Sequence, residues 1–335
     1  MNKYIVEPSP HIKSPATTSR IMALVLISLA PALAASVYIF GIRALVLTMV
    51  CVLSCVFFEW GFEKIAKRPN TVGDFSAAVT GVLIAFNLPV TLPFYIAVIG
   101  SFVAVVVVKQ MFGGIGQNFA NPAIVARIVL MLSFTARMNT FITPLKAPLD
   151  LPPSGGALDA MTSATPLALR AESGQLTGIS DLFFGFHGGV LGETCAAALI
   201  LGGLFLVITR IISLSTPVAF IGTVAVMSAF ASGFKGNEIL FEVLSGGLIL
   251  GAFFMATDYA TTPLTEKGKV IFGIGCGIIT FVIRHFASMP EGVSFSILIM
   301  NILTPYIDRL CIPKVFGATK PIKPTTKPNK ETTGG

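Results

Sequence analysis

The chain contains ten apolar stretches of about the length that crosses a lipid bilayer, and this repetition constrains the fold more than any other feature. A transmembrane helix needs about 20 mostly apolar residues. The first stretch is longer than the roughly 7–15 apolar residues of a signal peptide, and nine more follow it. The candidate spans cover residues 20–40, 44–61, 72–88, 93–109, 122–137, 189–209, 216–233, 239–256, 269–285 and 293–311. The sequence therefore predicts an all-α integral membrane protein.

Charge is scarce and unevenly distributed along the chain. Charged residues make up 12% of the sequence, against about 25% in soluble domains. The net charge of +7 would suggest nucleic-acid binding in a soluble protein. With both termini placed in the cytoplasm, however, 16 of the 23 Lys and Arg residues fall on the inner side, six fall on the outer side, and Arg127 lies within a span. The positive-inside rule expects this bias, so the charge indicates membrane orientation and not a nucleic-acid partner.

Ten spans divide the chain into five regions. The connection between the fifth and sixth spans is by far the longest, and loops of this length are usually functional or disordered. The C-terminal tail has too few apolar residues to fold alone. The regions are a cytoplasmic N-terminus (1–19), a first transmembrane half (20–137), an extracytoplasmic loop (138–188), a second transmembrane half (189–311) and a disordered basic cytoplasmic tail (312–335).

The two halves share a faint repeat. Residues 81–87 lead into a break at Pro89 and Pro93, and residues 251–258 lead into a break at Pro263. An odd number of spans per half inverts the second copy, and broken helices at matching places often mark a site near the middle of the bilayer. Gly and Pro are nevertheless common in membrane helices, so the repeat is weak when taken alone.

The long loop contains a motif that could carry chemistry, Asp159-Ala-Met-Thr-Ser-Ala-Thr-Pro166. On composition alone, this is a Ser/Thr/Pro turn. A threonine hydroxyl on an exposed loop can also be esterified, and the small neighbours Ser163 and Ala164 would let a bulky group approach Thr165. Pro166 is expected to keep Thr165 out of a helix.

This stretch resembles the flavinylation motif, Asp-x-x-Ser/Thr-Gly/Ser-Ala-Thr, of the RnfD/NqrB family of membrane flavoprotein subunits. The resemblance continues in residues 113–123, which match Gly-Gly-x-Gly-x-Asn-x-x-Asn-Pro-Ala, and in residues 254–258. It runs from about residue 4 to 311, and the chain length suits RnfD better than NqrB.

The resemblance implies a covalent cofactor. Thr165 would carry FMN through a phosphoester bond, transferred from FAD by a dedicated flavin transferase. The recognition positions would be Asp159, Thr162, Ser163 and Ala164. Ser163 is a mild departure, because glycine is frequent there in the family.

A second group of residues is expected to form either a non-covalent flavin site, which would take riboflavin as in the related subunits, or part of an ion path. Glycines let the backbone approach a planar ligand closely, and polar groups at membrane depth are costly unless they face a site. Alternatively, the polar groups satisfy the backbone of broken helices, and Glu193 is a helix-start carboxylate favoured by the dipole. The residues are Gly113, Gly114, Gly116, Asn118, Asn121, Thr257, Asp258 and Glu193.

The resemblance also implies a fold and a function. The fold would be urea-transporter-like, with ten helices in two inverted five-helix halves. The chain would be one subunit of an Rnf complex in the bacterial inner membrane, with RnfA, RnfB, RnfC, RnfE and RnfG as partners. That complex passes electrons between ferredoxin and NAD while it moves Na⁺ or H⁺. No nicotinamide motif and no metal-ligand cluster is recognised in this chain.

Two rival functions remain open at this stage. A stand-alone secondary transporter would explain the broken helices and inverted halves, but not the motif that ends at Thr165. A passive scaffold subunit with a degenerate site would not need an intact Thr165.

Overall fold

The computed structural model describes residues 17–142, 144, 164–287 and 291–311, and the regular structure in these ranges is helical. The first half contains α1 (Thr18–Phe40), α2 (Ile42–Ile65), α3 (Ser76–Phe86), α4 (Phe94–Phe102), which continues as a π-helix (Val103–Gln110), and α5 (Pro122–Ser133). Three short helices follow, α6 (Thr135–Met138), α7 (Pro166–Ser173) and α8 (Ile179–Phe184). The second half contains α9 (Ala196–Ile208), α10 (Ser215–Ser232), α11 (Gly236–Leu244), α12 (Leu248–Leu250), which continues as a π-helix (Gly251–Met255), α13 (Glu266–Phe286) and α14 (Val293–Cys311).

Five of the described helices are long and apolar enough to cross a bilayer, namely α1, α2, α10, α13 and α14. A sixth span results if α11 and the segment Leu248–Met255 are counted together, although they are bent by 63°. The chain is thus a multi-pass membrane protein built from helices.

Each of the ten predicted spans coincides with a helix, but several of these helices are shorter than predicted. Helix α3 has 11 residues and would cover only about half of a hydrocarbon core roughly 30 Å thick. The predicted range 72–88 also includes a 3₁₀ turn at Val72–Asp74. Helices α5 and α9 have 12 and 13 residues. Apolar composition therefore located helical segments, and five or six of the described ones are long enough to span a bilayer.

Close helix contacts depend on glycine. A methyl group at Gly202 on α9 would collide with the carbonyl oxygen of Ser28 on α1. A methyl group at Gly81 on α3 would lie 2.6 Å from the Cα atom of Val52 on α2. Small residues at such crossings let helix backbones approach in a membrane, where dispersion contacts and not water exclusion drive packing.

The two sets of helices pack in a similar pattern. The first helices of the two sets contact each other (α1 with α9), and so do the last helices (α5 with α14). Within each set the second long helix packs against the fourth member, α2 against α4 and α10 against α13.

Helix α1 defines two ends of the molecule. Near its start, Ser19 donates a hydrogen bond to the carbonyl oxygen of Gly73, and Met22 faces a cavity. Near its end, Ile39 lies against Gly185, which follows α8. At about 1.5 Å per residue, the two ends are separated by about 25 Å.

Candidate functional site

Thr165 is the residue at which the chain enters α7. Its backbone is extended (φ −67°, ψ 155°), and Pro166 occupies the first helical turn. The Thr165 hydroxyl oxygen accepts a hydrogen bond from the backbone N–H of Ala168 at 3.3 Å. This is an N-cap arrangement, which threonine favours. It confirms that Pro166 begins the helix and leaves Thr165 outside it.

The expectation that Thr165 lies on an exposed loop is wrong for this conformation. Only 7% of the residue is exposed, because its side chain points toward the first turn of α7 and the residue is packed within the protein. The remaining motif residues are Ala164, which is half-buried, and Asp159, Thr162 and Ser163, which lie outside the described residues.

An arginine on α7 forms charged contacts with the second half. Arg170 forms an ion pair with Glu242 and lies 3.7 Å from a carboxylate oxygen of Glu238. Its guanidinium carbon is 5.4 Å from the ring centre of Phe241. All three partners belong to α11, so Arg170 joins α7 to the first arm of the bent helix pair.

Glu242 is shared between Arg170 and a second arginine, Arg284 on α13. Arg284 Nη1 lies 3.0 Å from Glu242 Oε2, and it also donates to the carbonyl oxygen of Glu242 at 2.6 Å. Arg284 Nη2 donates to the carbonyl oxygen of Ser245 at 3.0 Å. The side chains of Glu242 and Arg284 are each 2% exposed. Buried charges are tolerated when they are paired and hydrogen-bonded in this way.

The break between α11 and α12 lies close to two groups of residues, α7 with Arg284 on one side and Glu193 on the other. Gly246 has a left-handed backbone (φ 65°), and a side chain there would meet Leu167 of α7 at 2.9 Å and Arg284 Nη2 at 3.1 Å. A side chain at Gly247 would lie 3.0 Å from Glu193 Oε1. The break therefore lies between α7 on one side and Glu193 on the other.

Glu193 belongs to a buried ionic cluster centred on Arg127. Arg127 Nη2 is 3.1 Å from Glu193 Oε1 and also pairs with Glu291, while Nη1 donates to Asn87 Oδ1 at 2.7 Å. Two carboxylates thus share one guanidinium in this cluster. Helix α9 begins only at Ala196, so pairing with Arg127, more than the helix dipole, explains the position of Glu193.

A cavity lies at the other end of the molecule, where α1 begins. Its volume is about 200 Å³, which is smaller than the roughly 300–1,000 Å³ of sites that hold a whole drug-sized ligand. Its lining is mostly apolar, with a few polar groups. Of the residues predicted for the second site, the cavity brings together Gly116, Asn118, Asn121, Thr257 and Asp258.

The polar residues of the cavity differ in their bonding. Asn121 caps α5 by accepting the N–H of Ala123 at 3.0 Å, and its amide donates to the carbonyl oxygen of Met255 at 3.4 Å. This agrees with the alternative stated above, in which polar side chains form hydrogen bonds with the free backbone groups of broken helices. In contrast, Asn118 Oδ1 is buried and has no hydrogen-bond partner among the described residues. Buried acceptors are rarely left unpaired, so Asn118 is suited to receive a ligand donor.

Asp258 and Thr257 follow the second π-helix at the cavity wall. Asp258 accepts hydrogen bonds from the N–H of Ala260 at 3.4 Å and from the hydroxyl of Thr261 at 3.3 Å. Burial raises the pKa of the Asp258 carboxyl, and these two hydrogen bonds oppose the shift. Thr257 donates its hydroxyl proton to the carbonyl oxygen of Phe253 at 2.6 Å.

The glycine turn has a conformational role. Gly113, Gly114 and Gly116 all have positive φ angles (124°, 98° and 84°), which only glycine adopts readily. Of the three, Gly116 lines the cavity. A role for Gly113 and Gly114 in contacting a ligand stays a prediction.

Several charged residues of these sites were missed at the sequence level. Lys109, which lines the cavity, donates to Glu59 Oε1 and to the hydroxyl of Ser76, each at 2.6 Å. Arg127, Glu242 and Arg284 were likewise not predicted. Ionisable residues inside apolar segments are rare and usually face a partner or a site, and that signal could have identified them.

Comparison with known proteins shows which family the chain belongs to. Residues 5–317 match the model of the NQR2, RnfD, RnfE family. The chain is 46% identical to the D subunit of the sodium-translocating ferredoxin:NAD⁺ oxidoreductase complex of Acetobacterium woodii, over 94% of this chain and 96% of that protein. It is 38% identical to the D subunit of the proton-translocating complex of Clostridium ljungdahlii, over 95% and 98%. It is 37% identical to the D subunit of the ion-translocating oxidoreductase complex of Stutzerimonas stutzeri, over 92% and 94%. This chain therefore belongs to the NQR2, RnfD, RnfE family.

Proposed function

We propose that this chain is the RnfD subunit of an ion-translocating ferredoxin:NAD⁺ oxidoreductase complex, and that it relays electrons through flavin. The observation that carries the proposal is full-length similarity to the corresponding subunits of such complexes, at 46% identity in the Acetobacterium woodii protein. The chain would act as part of an oxidoreductase in a bacterial inner membrane. Its partners would be the Rnf subunits RnfA, RnfB, RnfC, RnfE and RnfG, and the surrounding lipid bilayer.

The first cofactor would be FMN bound through a phosphoester to Thr165. An ester at this residue is supported by its hydroxyl, its extended backbone and its place at the N-terminus of α7. A phosphoester carries negative charge, which the positive end of a helix stabilises. In the structure, little space surrounds the Thr165 hydroxyl, since the residue is 7% exposed.

The second cofactor would be a non-covalent flavin, riboflavin in our proposal, in the cavity at the opposite end. The unpaired Asn118 Oδ1 and the mostly apolar lining suit a planar heteroaromatic ring with N–H donors. When bound, a flavin supplies the ability to accept and release electrons. The residues of this chain would hold the ring, shield it from water and set the polarity around it.

The cluster of Arg127, Glu193 and Glu291 is our candidate for part of the ion path. Two buried carboxylates share one arginine, so the site favours an additional positive charge, either a proton or a cation. The relatives support both ions, because one is named for sodium and another for protons.

We also propose ten membrane-inserted segments arranged as two inverted halves, in the urea-transporter-like fold, with both termini in the cytoplasm. The similar packing of first, second and last helices in the two sets supports this arrangement. In it, the short helices α3, α5 and α9 would enter the membrane in part, with their breaks buried in protein. Thr165 would then face outward and the cavity would face the cytoplasm.

Covalent flavin in the denatured subunit tests the proposal. The purified chain should fluoresce as flavin after denaturing electrophoresis, and its mass should exceed the sequence mass by one FMN minus water. Thr165→Ala should remove both signals, whereas Thr165→Ser keeps an esterifiable hydroxyl as the matched control. A chain without any flavin would favour the alternative, a stand-alone secondary transporter.

A further inference from the structure

The acceptor hydroxyl is not accessible in the conformation that the structure describes. Thr165 is 7% exposed, and its hydroxyl oxygen caps α7. An enzyme that transfers a flavin must bring a phosphorus atom into contact with that oxygen. We infer that α7 swings away from α11 when Thr165 is modified, and that Arg170 is the positioning residue that latches α7 in the docked state. This inference rests on the proposed covalent flavin at Thr165.

The contacts divide the latch into a moving part and a fixed part. The moving part is the Arg170 side chain, which is 25% exposed and therefore lies at an edge that water reaches. The fixed part is Glu242, which is 2% exposed and is held by Arg284 through its side chain and its backbone. Releasing Arg170 would leave Glu242 paired with Arg284, so the latch can open without leaving a buried carboxylate alone.

Beside the Arg170–Glu242 ion pair, α7 has further contacts with the bent helix pair formed by α11 and α12. Leu167 lies against Gly246 at the break of the bent pair. Arg170 also lies beside Glu238 and over the ring of Phe241. Helix α7 has only eight residues, and helices of that length depend on tertiary contacts for their stability. One charged contact can therefore decide how often α7 is docked.

The modification step balances without any oxidant or reductant. The Thr165 Oγ1 attacks the phosphorus of FAD that carries the flavin, and an Oγ1–P bond forms. The P–O bond to the adenylate breaks and AMP leaves, while the hydroxyl proton passes to a base of the transferase or to water. In the docked state the same oxygen accepts the Ala168 N–H, so that state hinders the attack.

Weakening the contact between Arg170 and Glu242 should have two separate effects. Flavin transfer should become faster, because the hydroxyl is reached more often. The attached flavin should become more mobile, because α7 is held less firmly. A substitution that merely damages the fold would slow transfer as well as loosen the flavin, so the pair of readouts separates positioning from general destabilisation.

The first experiment measures accessibility without flavin. In the full-length chain in detergent, Thr165→Cys is labelled with a maleimide, and modification at position 165 is followed by peptide mass. Adding Arg170→Met should raise the labelling rate about tenfold, the size expected for loss of one charged hydrogen bond. Arg170→Lys should fall between the two. Lys235→Met is the matched control, since Lys235 forms an exposed pair with Glu238 at the start of α11. Equal labelling rates in all four proteins would overturn the inference.

The second experiment uses the native acceptor, with purified flavin transferase and FAD. Arg170→Met should raise the initial rate of transfer about tenfold and lower the fluorescence anisotropy of the attached flavin. A slower transfer, or an unchanged anisotropy, would overturn the latch. Absence of covalent flavin from the unaltered chain would instead overturn the proposed function, while the labelling result would still decide whether α7 undocks.

Discussion

Arg127 and Glu193 form an ion pair at 3.1 Å, with both side chains at least 95% buried, between the two ends of the molecule. Arg127 comes from α5 in the first half, and Glu193 precedes α9 in the second half. The pair therefore ties together two halves whose helices are far apart in sequence. Because Glu291 and Asn87 also bind Arg127, this residue is central to the packing of the chain.

Loss of the arginine should be strongly destabilising. Arg127→Met would leave two carboxylates without their shared positive charge, and breaking a buried pair in this way typically costs about 3–5 kcal/mol. Thermal unfolding in detergent should show a clearly lower Tm. Arg127→Lys keeps the charge and should lose less stability. A Tm for Arg127→Met that equals the unaltered value would mean that the pair is not formed.

Substitution of Asn118 should reduce the proposed non-covalent flavin in the cavity and leave the proposed covalent flavin at Thr165 in place. Asn118→Leu removes the unpaired acceptor at nearly constant volume, so non-covalent flavin released by denaturation should fall about tenfold in occupancy at limiting flavin, as expected for one lost hydrogen bond to a ligand. Asn121→Asp is a useful comparison, because aspartate can still cap α5. Retention of full non-covalent flavin in Asn118→Leu would remove Asn118 from the site.

Asp258 should be needed for turnover and not for covalent flavinylation. Asp258→Ala should leave flavin on Thr165, since the two residues lie at opposite ends of the molecule. Electron transfer or ion transport by the assembled complex should nevertheless fall. Asp258→Asn, which keeps the hydrogen-bond acceptor, controls for the local turn. A fully coupled complex with Asp258→Ala would favour the view that this residue only stabilises the broken helix.

Topology can be tested from both sides of sealed membranes. A thiol introduced by Lys146→Cys should react with an impermeant reagent from outside, and one introduced by Lys327→Cys should react only from inside. Both positions lie outside the described residues, so this is a test of the charge distribution in the sequence. Labelling of the two positions from the opposite sides would invert the proposed orientation.

Sequence reasoning predicted the helical membrane class better than it predicted the lengths and contacts of the helices. Apolar runs locate helices reliably because the bilayer demands them, and Pro166 marks the start of α7 correctly. The lengths of α3 and α5 could not be predicted from apolar runs. Asn87 ends α3 and Asn121 begins α5, although both residues lie within apolar surroundings.

The ionic contacts were also hidden from the sequence. Arg170 and Glu242 are 72 residues apart, and Arg127 and Glu291 are 164 residues apart. Such pairs form only when distant segments of the chain pack together, so the partners could not be matched from the sequence. Burial of Thr165 has the same origin, because it depends on how α7 is packed against the rest of the protein.

The separation of the two proposed flavin sites has an electrical consequence. The cavity lies beside Met22 and the covalent site lies near the end where Ile39 is found, about 25 Å away along α1. In the proposed orientation, an electron that passes between these sites would cross most of the membrane's electric field. That passage changes its energy by about 2.3 kcal/mol for every 100 mV of transmembrane potential. Electron flow through this subunit would then be electrogenic in its own right, and the membrane voltage would favour or oppose it before any cation moves.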